Sequence, residues 1–434
     1  MKQRTKKPPS SDALLAVLQR MTFDYFLQEA NPANGLVADR SRRNSPASIA
    51  AVGLGLTAYP VGVARGFISR EQACARTLAT LRFFWNCKQG PEPDATGYKG
   101  FYYHFLDMHT GRRVWRCELS TIDTALLMAG VLTVGGYFCE DCEDEEEIRT
   151  LSEALYRRVE WDWARNGGAT VTHGWSSENG FIGYRWGGYD EAIILYVLGL
   201  GSPTHALSPE SYTAWLSTYQ WKKIYGREFL YAGPLFIHQL SHVWLDFRGI
   251  KDAFMQDHGS DYFENSRQAT YVQREYAIRN PLDFAGYHES SWGITASDGP
   301  GDQTRIIGGV ERKFFGYLAR GVPYGPDDGT LSPWATAASL PFAPEIVLPA
   351  LCHFHDIDLN LDNPYGFKAS FNPTLATAGG NPAGWVAPDH LGLNQGPIVL
   401  MIENYRSDFL WGLTRACPHI QRGLRKAGFR GAWL

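Results

Sequence analysis

The chain has 434 residues, 44% hydrophobic and 20% charged, and a formal net charge of -4. That is enough apolar material for one large barrel or several smaller domains, and the slight acidic excess argues against nucleic acid as a partner. Aromatics reach 14%, with 14 Trp and 22 Tyr; they suit a large core or a cleft in which flat rings cover sugar faces.

Residues 1–10 read as a flexible basic tail, and 11–434 as a single domain. No apolar stretch of signal-peptide type comes after the tail, and no run reaches the ~18 apolar residues of a membrane span. The expectation is a soluble chain without membrane insertion, monomeric or weakly dimeric. As written it is cytoplasmic; a removed signal would make it periplasmic or secreted. There are 7 Cys, and only Cys139 and Cys142 are close, in the acidic run "CEDCEDEEE". With no second CxxC to complete a metal site, reduced structural thiols are expected.

Helical periodicity dominates the chain from residue 12 onward. Helices are predicted over 12–29, 47–64, 70–87, 118–134, 145–163, 188–200, 208–219, 231–243, 252–277, 334–352, 397–412 and 416–427. Ser45 before "PASIAAVG", Ser120 and Thr121 before "ALLMAGVL", and Ser208 with Glu210 supply start signals. Between helices lie long Gly- and aromatic-rich connections such as "GYKGFYYHFLDMHTGRR", "TVTHGWSSENGFIGYRWGGY" and "NPLDFAGYHESSWGITASDGPG". Their alternation predicts short hairpins, and loops this long inside a compact fold usually serve function. The expected fold is mainly α: an (α/α)6 barrel, a toroid of helical hairpins, with long loops and short β-hairpins forming a cleft at one end.

Two apolar helices open on carboxylates. In "CELSTIDTALLMAG", Glu118 and Asp123 flank the first turn of a helix apolar all round, and such a helix is buried. In "GYRWGGYDEAIILYVLGLGSP", Asp190 and Glu191 repeat the arrangement after Tyr184, Arg185, Trp186 and Tyr189. Acids at a helix start also serve as caps or complement the macrodipole, worth about 0.3–1 kcal/mol. Two acids among aromatics are also what glycoside cleavage needs. An apolar wall raises one carboxyl into a proton donor, while the other stays ionised. The loop "GYHESSWGITASDGPG" adds His288, Glu289, Trp292 and Asp298, polar groups with a ring for stacking, with Glu289 a reserve acid or base.

Other signals point to structure. Glu403 inside "IVLMIENYR" needs a partner if buried, and Arg406 is three residues on. His238 and His242 in "HQLSH" have zinc-like spacing without the Glu of a metalloprotease, so a core or cleft-rim pair is expected. His353, His355 and Asp356 lack a third ligand, and Asp327–Asp328 in "GPDDGT" read as a turn. No metal and no cofactor is expected.

At these motifs the sequence resembles the bacterial glycoamylase-like family, in particular glycoside hydrolase family 144, the endo-β-1,2-glucanases and their sophorose-releasing relatives. The matching stretches include "MTFDYFLQEANPANGLVADRS", "FYYHFLDMHTGRRVWRCELSTIDTALLMAG", "GYRWGGYDEAIILYVLGLGSP", "YAGPLFIHQLSHVWLDFRGI", "ESSWGITASDGPG", "ATAASLPFAPE" and "QGPIVLMIENYRS". The resemblance implies an (α/α)6 barrel and metal-free, inverting hydrolysis of a β-glucan poly- or oligosaccharide, most often β-1,2-linked. By motif, Glu118, Asp123 and Glu191 would carry the catalysis, one acid as proton donor and another as base. Tyr103, His104, Trp186, Trp292, Asp298 and Tyr405 are expected to contact sugar, as are Asp190, His288 and Glu289. One departure stands out: Asn394 in "LGLNQGPIVL" occupies a position where relatives would carry Asp. Two rivals remain. A transglycosylase or phosphorylase on β-1,2-glucosides would, in the phosphorylase case, need a phosphate pocket, for which Arg305 and Arg312 are the candidates. A non-catalytic glucan-binding protein would need no acid at all.

Overall fold

The computed structural model describes residues 11–357, 359, 363–377 and 380–434; the basic tail expected at 1–10 lies outside the described residues. Fourteen α-helices run through them: α1 (Ser11–Gln28), α2 (Ile49–Ala64), α3 (Arg70–Asn86), α4 (Thr121–Tyr137), α5 (Glu143–Arg158), α6 (Ile193–Gly201), α7 (Pro209–Leu216), α8 (Ala253–Asp257), α9 (Tyr262–Arg279), α10 (Pro333–Ala338), α11 (Pro344–Asp356), α12 (Gly392–Ser407), α13 (Phe409–Arg415) and α14 (Pro418–Lys426).

The helices divide into two kinds, and composition is the reason. Every residue of α2 from Ile49 to Gly62 is buried, and every residue of α6 is buried. A helix apolar all round has no face to give to water. By contrast α5 buries one stripe, carries Glu143, Asp144, Glu145 and Glu146 in its first turn, and ends on Arg157 and Arg158. That charge order complements the helix macrodipole.

Chain order alternates the two kinds. Outer helices α1, α3, α5, α7, α9 and α11 are each followed by an inner segment: α2, α4, α6, the 3-10 turns Leu235–His238 and Leu240–Val243, α10 and α12. Around the inner ring α12 packs on α2, α2 on α4 and α4 on α6, while α10 packs on α12. On the outside α3 lies against α5 and α1 touches α11, while α14 covers α6. This is the (α/α)6 toroid expected from the sequence.

The tightest inner contact is between α2 and α4. A Cβ added at Gly130 would stand 2.1 Å from the carbonyl oxygen of Gly53, and one at Gly53 would stand 2.3 Å from that of Leu126. Only glycine at both positions lets the two backbones approach this far.

Strands are short and stitch the loops at the end of the ring where α2 and α4 begin. A five-stranded antiparallel sheet has the order Gly97–Tyr98, Phe101–Tyr103, Leu119–Ser120, Gly174–Ser176, Gly180–Phe181. Beside it Ala47–Ser48 pairs with Phe105–Leu106. Helix α2 starts directly after Ser48, and α4 directly after Ser120. Each serine caps its helix, accepting from the Ala51 and Asp123 amides respectively. The α2 cap is therefore Ser48, three residues beyond the Ser45 start signal.

The boundaries differ from the periodic pattern at several places; the predicted 334–352 helix, for one, is two helices, α10 ending at Ala338 and α11 starting at Pro344. Helix α6 starts at Ile193, because the chain bends over 188–190, with Gly188 at φ +89°, and turns at 191–192. The predicted 231–243 helix is instead two 3-10 turns. Gln239 breaks it at φ -127°, and its side-chain amide is spent on the Ala335 carbonyl at 2.5 Å and Ser339 Oγ at 2.7 Å. Gly259 (φ +64°) divides 252–277, and Asp408 (φ +59°) divides 397–412. Ser208 starts α7 without a side-chain cap bond.

Gly130→Ala is expected to lower unfolding free energy by about 1–3 kcal/mol, the usual cost of overpacking a close-packed core. Denaturant unfolding reads this directly; an unchanged midpoint would mean that the α2–α4 contact is looser than described.

Candidate active site

The starts of the inner segments surround a cavity of about 490 Å³. Its wall is built from Glu118, Asp123, Glu191, His104 and Trp186, together with Asp39, Arg40, His173, Tyr317 and Asn394. Apolar side chains, including Phe105, Phe236, Leu240 and Trp334, fill the gaps.

The first cluster is fixed by strand pairing. The His104 amide donates to the Glu118 carbonyl at 3.0 Å, so both side chains leave the same edge. His104 Nδ1 then meets Glu118 Oε1 at 2.8 Å, and its Nε2 lies 3.6 Å from Asp123 Oδ2. Ser120 Oγ donates to the same Asp123 oxygen at 2.5 Å while accepting from the Asp123 amide. Asp123 is thus both part of the helix cap and a partner of His104.

Charge settles which protons sit where. Burial alone would strip the imidazole, but the Asp123 carboxylate, the bond to Glu118 and the Glu118 charge outweigh it and push His104 up to about 9. Glu118 is the mirror image: burial pushes its carboxyl up, yet the hydrogen bond and charge of His104 hold it below its ordinary 4.5. At neutral pH this is an imidazolium bonded to the Glu118 carboxylate, with Asp123 on its other side. His104, Glu118 and Asp123 bring one donor atom each within 4.8 Å of one another. A protonated imidazole has no lone pair for a metal, however, so this cluster holds an ion only after His104 gives up its proton.

The second carboxyl has the opposite environment. Among the described residues no side chain hydrogen-bonds the Glu191 carboxyl. Burial first, then the charge of Asp190 and more weakly that of Asp123, raise it to about 8. Asp190 takes the capping role: its Oδ1 accepts from the Ala192 amide and from Trp215 Nε1, both at 3.0 Å. It points away from the cavity wall, and burial raises it too, against the pull of those bonds. The site therefore holds one carboxyl that keeps its proton at pH 7 and one that has lost it.

Two further walls complete the cavity. His173 stacks on Trp186 at 3.9 Å between centroids, and the indole Nε1 donates to Thr121 Oγ1 at 3.0 Å. Opposite charges occupy the other side: Arg40 pairs with Asp298 and lies 3.3 Å from Asp39. Asp298 thus enters the site by holding Arg40. Asn394 is 4% exposed, and its Nδ2 has no partner among the described residues.

The structure keeps several expected sugar contacts out of this cavity. Tyr103 is fully buried, with the Arg113 guanidinium 4.4 Å from its ring centroid. Trp292 is likewise a core residue, fully buried, with its carbonyl accepting from Thr336 Oγ1 of α10 at 2.6 Å. His288 packs edge-on to His353, Glu289 lies away from the cavity wall, and Tyr405 lies on the exposed side of α12. Glu403 is paired as expected, but its bidentate partner is Arg65, at 2.7 and 2.8 Å, while Arg406 binds Gln19. His238 and His242 are buried, bonded to the Ala232 carbonyl and Ser266 Oγ. Asp328 is no mere turn residue: it forms a fully buried pair with Arg320. Arg305 and Arg312 lie on the hairpin Gln303–Phe314, where Arg312 binds the carbonyls of Leu282 and Asp283.

Asp39, Arg40, His173 and Tyr317 are not singled out by the sequence. Asp39–Arg40 sits between helices, and its meaning depends on Asp298, which no local pattern reveals. His173 was within reach, since the length and composition of its loop, "TVTHGWSS", signal function.

This architecture has relatives among known proteins. The glycoamylase family, described as "Putative glucoamylase", matches residues 183–418. The exo β-1,2-glucooligosaccharide sophorohydrolase (non-reducing end) of Parabacteroides distasonis is 29% identical over 457 aligned positions, 97% of this chain. The chain spans 58% of that relative's length. A solved "putative glucoamylase" from Bacteroides uniformis shares 33% identity over 99% of this chain and 100% of its own, with TM-score 0.87. The endo-β-1,2-glucanase of Chitinophaga pinensis, solved with sophorotriose and glucose, shares 29% over 98% of this chain and 100% of its own, with TM-score 0.85.

His104→Ala removes both the hydrogen bond and the positive charge from Glu118, so the Glu118 carboxyl is expected to titrate at higher pH. Carbon-13 titration of the side chain checks this; an unmoved midpoint would remove His104 as the cause. The same variant tests stability linkage. A raised histidine stabilises the fold fully below its ordinary 6.5 and loses that contribution as pH rises through about 9. The wild type should therefore lose this increment across that window, and the variant should not.

Proposed function

The chain belongs to the glycoamylase family, and from that premise we propose that it hydrolyses β-1,2-glucan or its oligosaccharides by an inverting acid/base mechanism. The observation that carries the mechanism is the pair of unlike carboxyls in one cavity: Glu191 raised to about 8 and Glu118 held below the ordinary range. The named activities of the Parabacteroides and Chitinophaga relatives support the substrate.

Glu191 is the proton donor. Breaking a glycosidic bond without protonating the leaving oxygen would expel an alkoxide, so the reaction needs an acid still protonated at neutral pH. Glu118 is the base. It stays ionised because His104 is charged, and it takes a proton from water, directly or through a hydroxyl, as the water attacks the anomeric carbon. Asp123 keeps the imidazolium in place from its other side. The stacked His173–Trp186 pair offers an aromatic wall for a glucosyl face. A phosphorylase reading has less support, because Arg40, the arginine on the cavity wall, is committed to Asp298 and Asp39.

Glu191→Gln and Glu118→Gln are each expected to lower kcat by about 10²–10⁴-fold with the fold intact. Reducing-end release from β-1,2-glucan measures this, and proton NMR of the first products reads the anomer. Near-wild-type turnover in either variant would remove that residue from the mechanism. Release of the retained anomer would exclude inversion.

The pH profile depends on the same two groups. Activity should fall below the ordinary carboxylate range as Glu118 takes a proton, and above about 8 as Glu191 loses one. Asp190→Asn removes the charge that helps hold the Glu191 proton, so the alkaline limb should move to lower pH. An unmoved limb would assign it to another group.

A further inference from the structure

Beside the catalytic cavity lies a second hollow of about 660 Å³, formed by the loop before α2 and the loop before α4. The same two loops feed both spaces: Asp39 and Arg40 face the cavity while Arg42 to Pro46 face the hollow, and Phe105 faces the cavity while Trp115 faces the hollow. Resting on the proposed glucan hydrolysis, we infer that this hollow is a distal subsite of the same cleft. It takes glucosyl units of the substrate remote from the cleaved bond, with Trp115 as their stacking platform.

Trp115 is the observation that demands an explanation. It is 68% exposed, the most exposed tryptophan among the large hydrophobic residues at the surface. It and Arg116 also occupy consecutive left-handed conformations, φ +56° and +52°. A bulky side chain rarely adopts that backbone, and an apolar ring gains nothing from facing water. Glycine or asparagine would end the hairpin without either cost.

The loop that presents the ring is well braced. Asp107 Oδ1 accepts from the His109 and Thr110 amides, the Asn31 and Asn34 side chains hold the Met108 carbonyl, and the Val114 amide donates to the Phe105 carbonyl. Phe105 supports one side of the indole, with centroids 5.2 Å apart. The other face and the indole N–H stay free among the described residues. On the wall of the same hollow the exposed Arg43 side chain makes no hydrogen bond or ion pair among the described residues. A flat apolar face with unspent donors beside it is the chemistry that recognises a pyranose: carbon–hydrogen face on the ring, hydroxyls on the donors.

The test is chain-length dependence. Wild type, Trp115→Ala and Trp115→Phe are assayed on β-1,2-linked gluco-oligosaccharides from trimer to decamer. In the wild type kcat/KM should climb with length; in Trp115→Ala the ratio of long to short substrates should drop about tenfold, with Trp115→Phe keeping most of it. Equal losses on long and short substrates, or no change in the ratio, would overturn the subsite. Should Trp115→Ala fold poorly, Arg43→Ala in the same hollow must show the same selective loss on long chains, and an unchanged ratio there counts equally against it. A wild type that cleaves none of the oligosaccharides would sink the proposed function and the subsite together. Cleavage with an unaltered length profile would sink the subsite alone.

Discussion

Everything at the site depends on how closely α2 and α4 approach. Glycine faces glycine carbonyl at their crossing, where a single added methyl on either helix would collide with the other's backbone. Both helices leave short strands, in two small sheets that the 101–106 segment joins, so their starts lie together at one end of the ring. His104 and Glu118 ride on that patch, and Asp123 rides on the first turn of α4. The acid–imidazole–acid cluster is therefore positioned by helix packing and strand pairing, not by a mobile loop.

The chemistry then comes from contrast between neighbours. The same burial that would neutralise any carboxyl acts on Glu118 and on Glu191. At Glu118 a charged imidazole 2.8 Å away cancels it. At Glu191 only a backbone hydrogen bond opposes it, and the adjacent Asp190 adds to it. One cavity thus supports two protonation states without any difference in residue type. His104 is the pivot, since its own charge is maintained in part by Glu118, the carboxylate that it keeps ionised.

The fold was legible because its inner helices are apolar on every side and its outer ones are not, a distinction that survives in sequence alone. Glu118, Asp123 and Glu191 were legible for the same reason: a charged residue at the mouth of such a helix has few places to go. Pairings across the ring were not. Glu403 needed a partner, but Arg65 lies 338 residues away, and Arg406 was nearer in sequence. Asp39 and Arg40 gave no periodic signal, and Asp298 reads as a sugar contact because its bond to Arg40 spans 258 residues. Residue type misled at Tyr103 and Trp292, where rings that could stack on sugar instead fill the core.

Placing both carboxyls at the roots of packed helices separates two problems that other cleft architectures must solve together. The distance between the Glu118 and Glu191 carboxyls is a property of the ring. What the cleft recognises is a property of the loops strung above it, including the braced Trp115 hairpin and the Gln303–Phe314 hairpin. Insertions, deletions and substitutions in those loops can retune which linkage, chain length or chain end is accepted while the reacting groups stay put. Such a division lets one scaffold diversify its substrates by drift at the rim, without first passing through inactive intermediates.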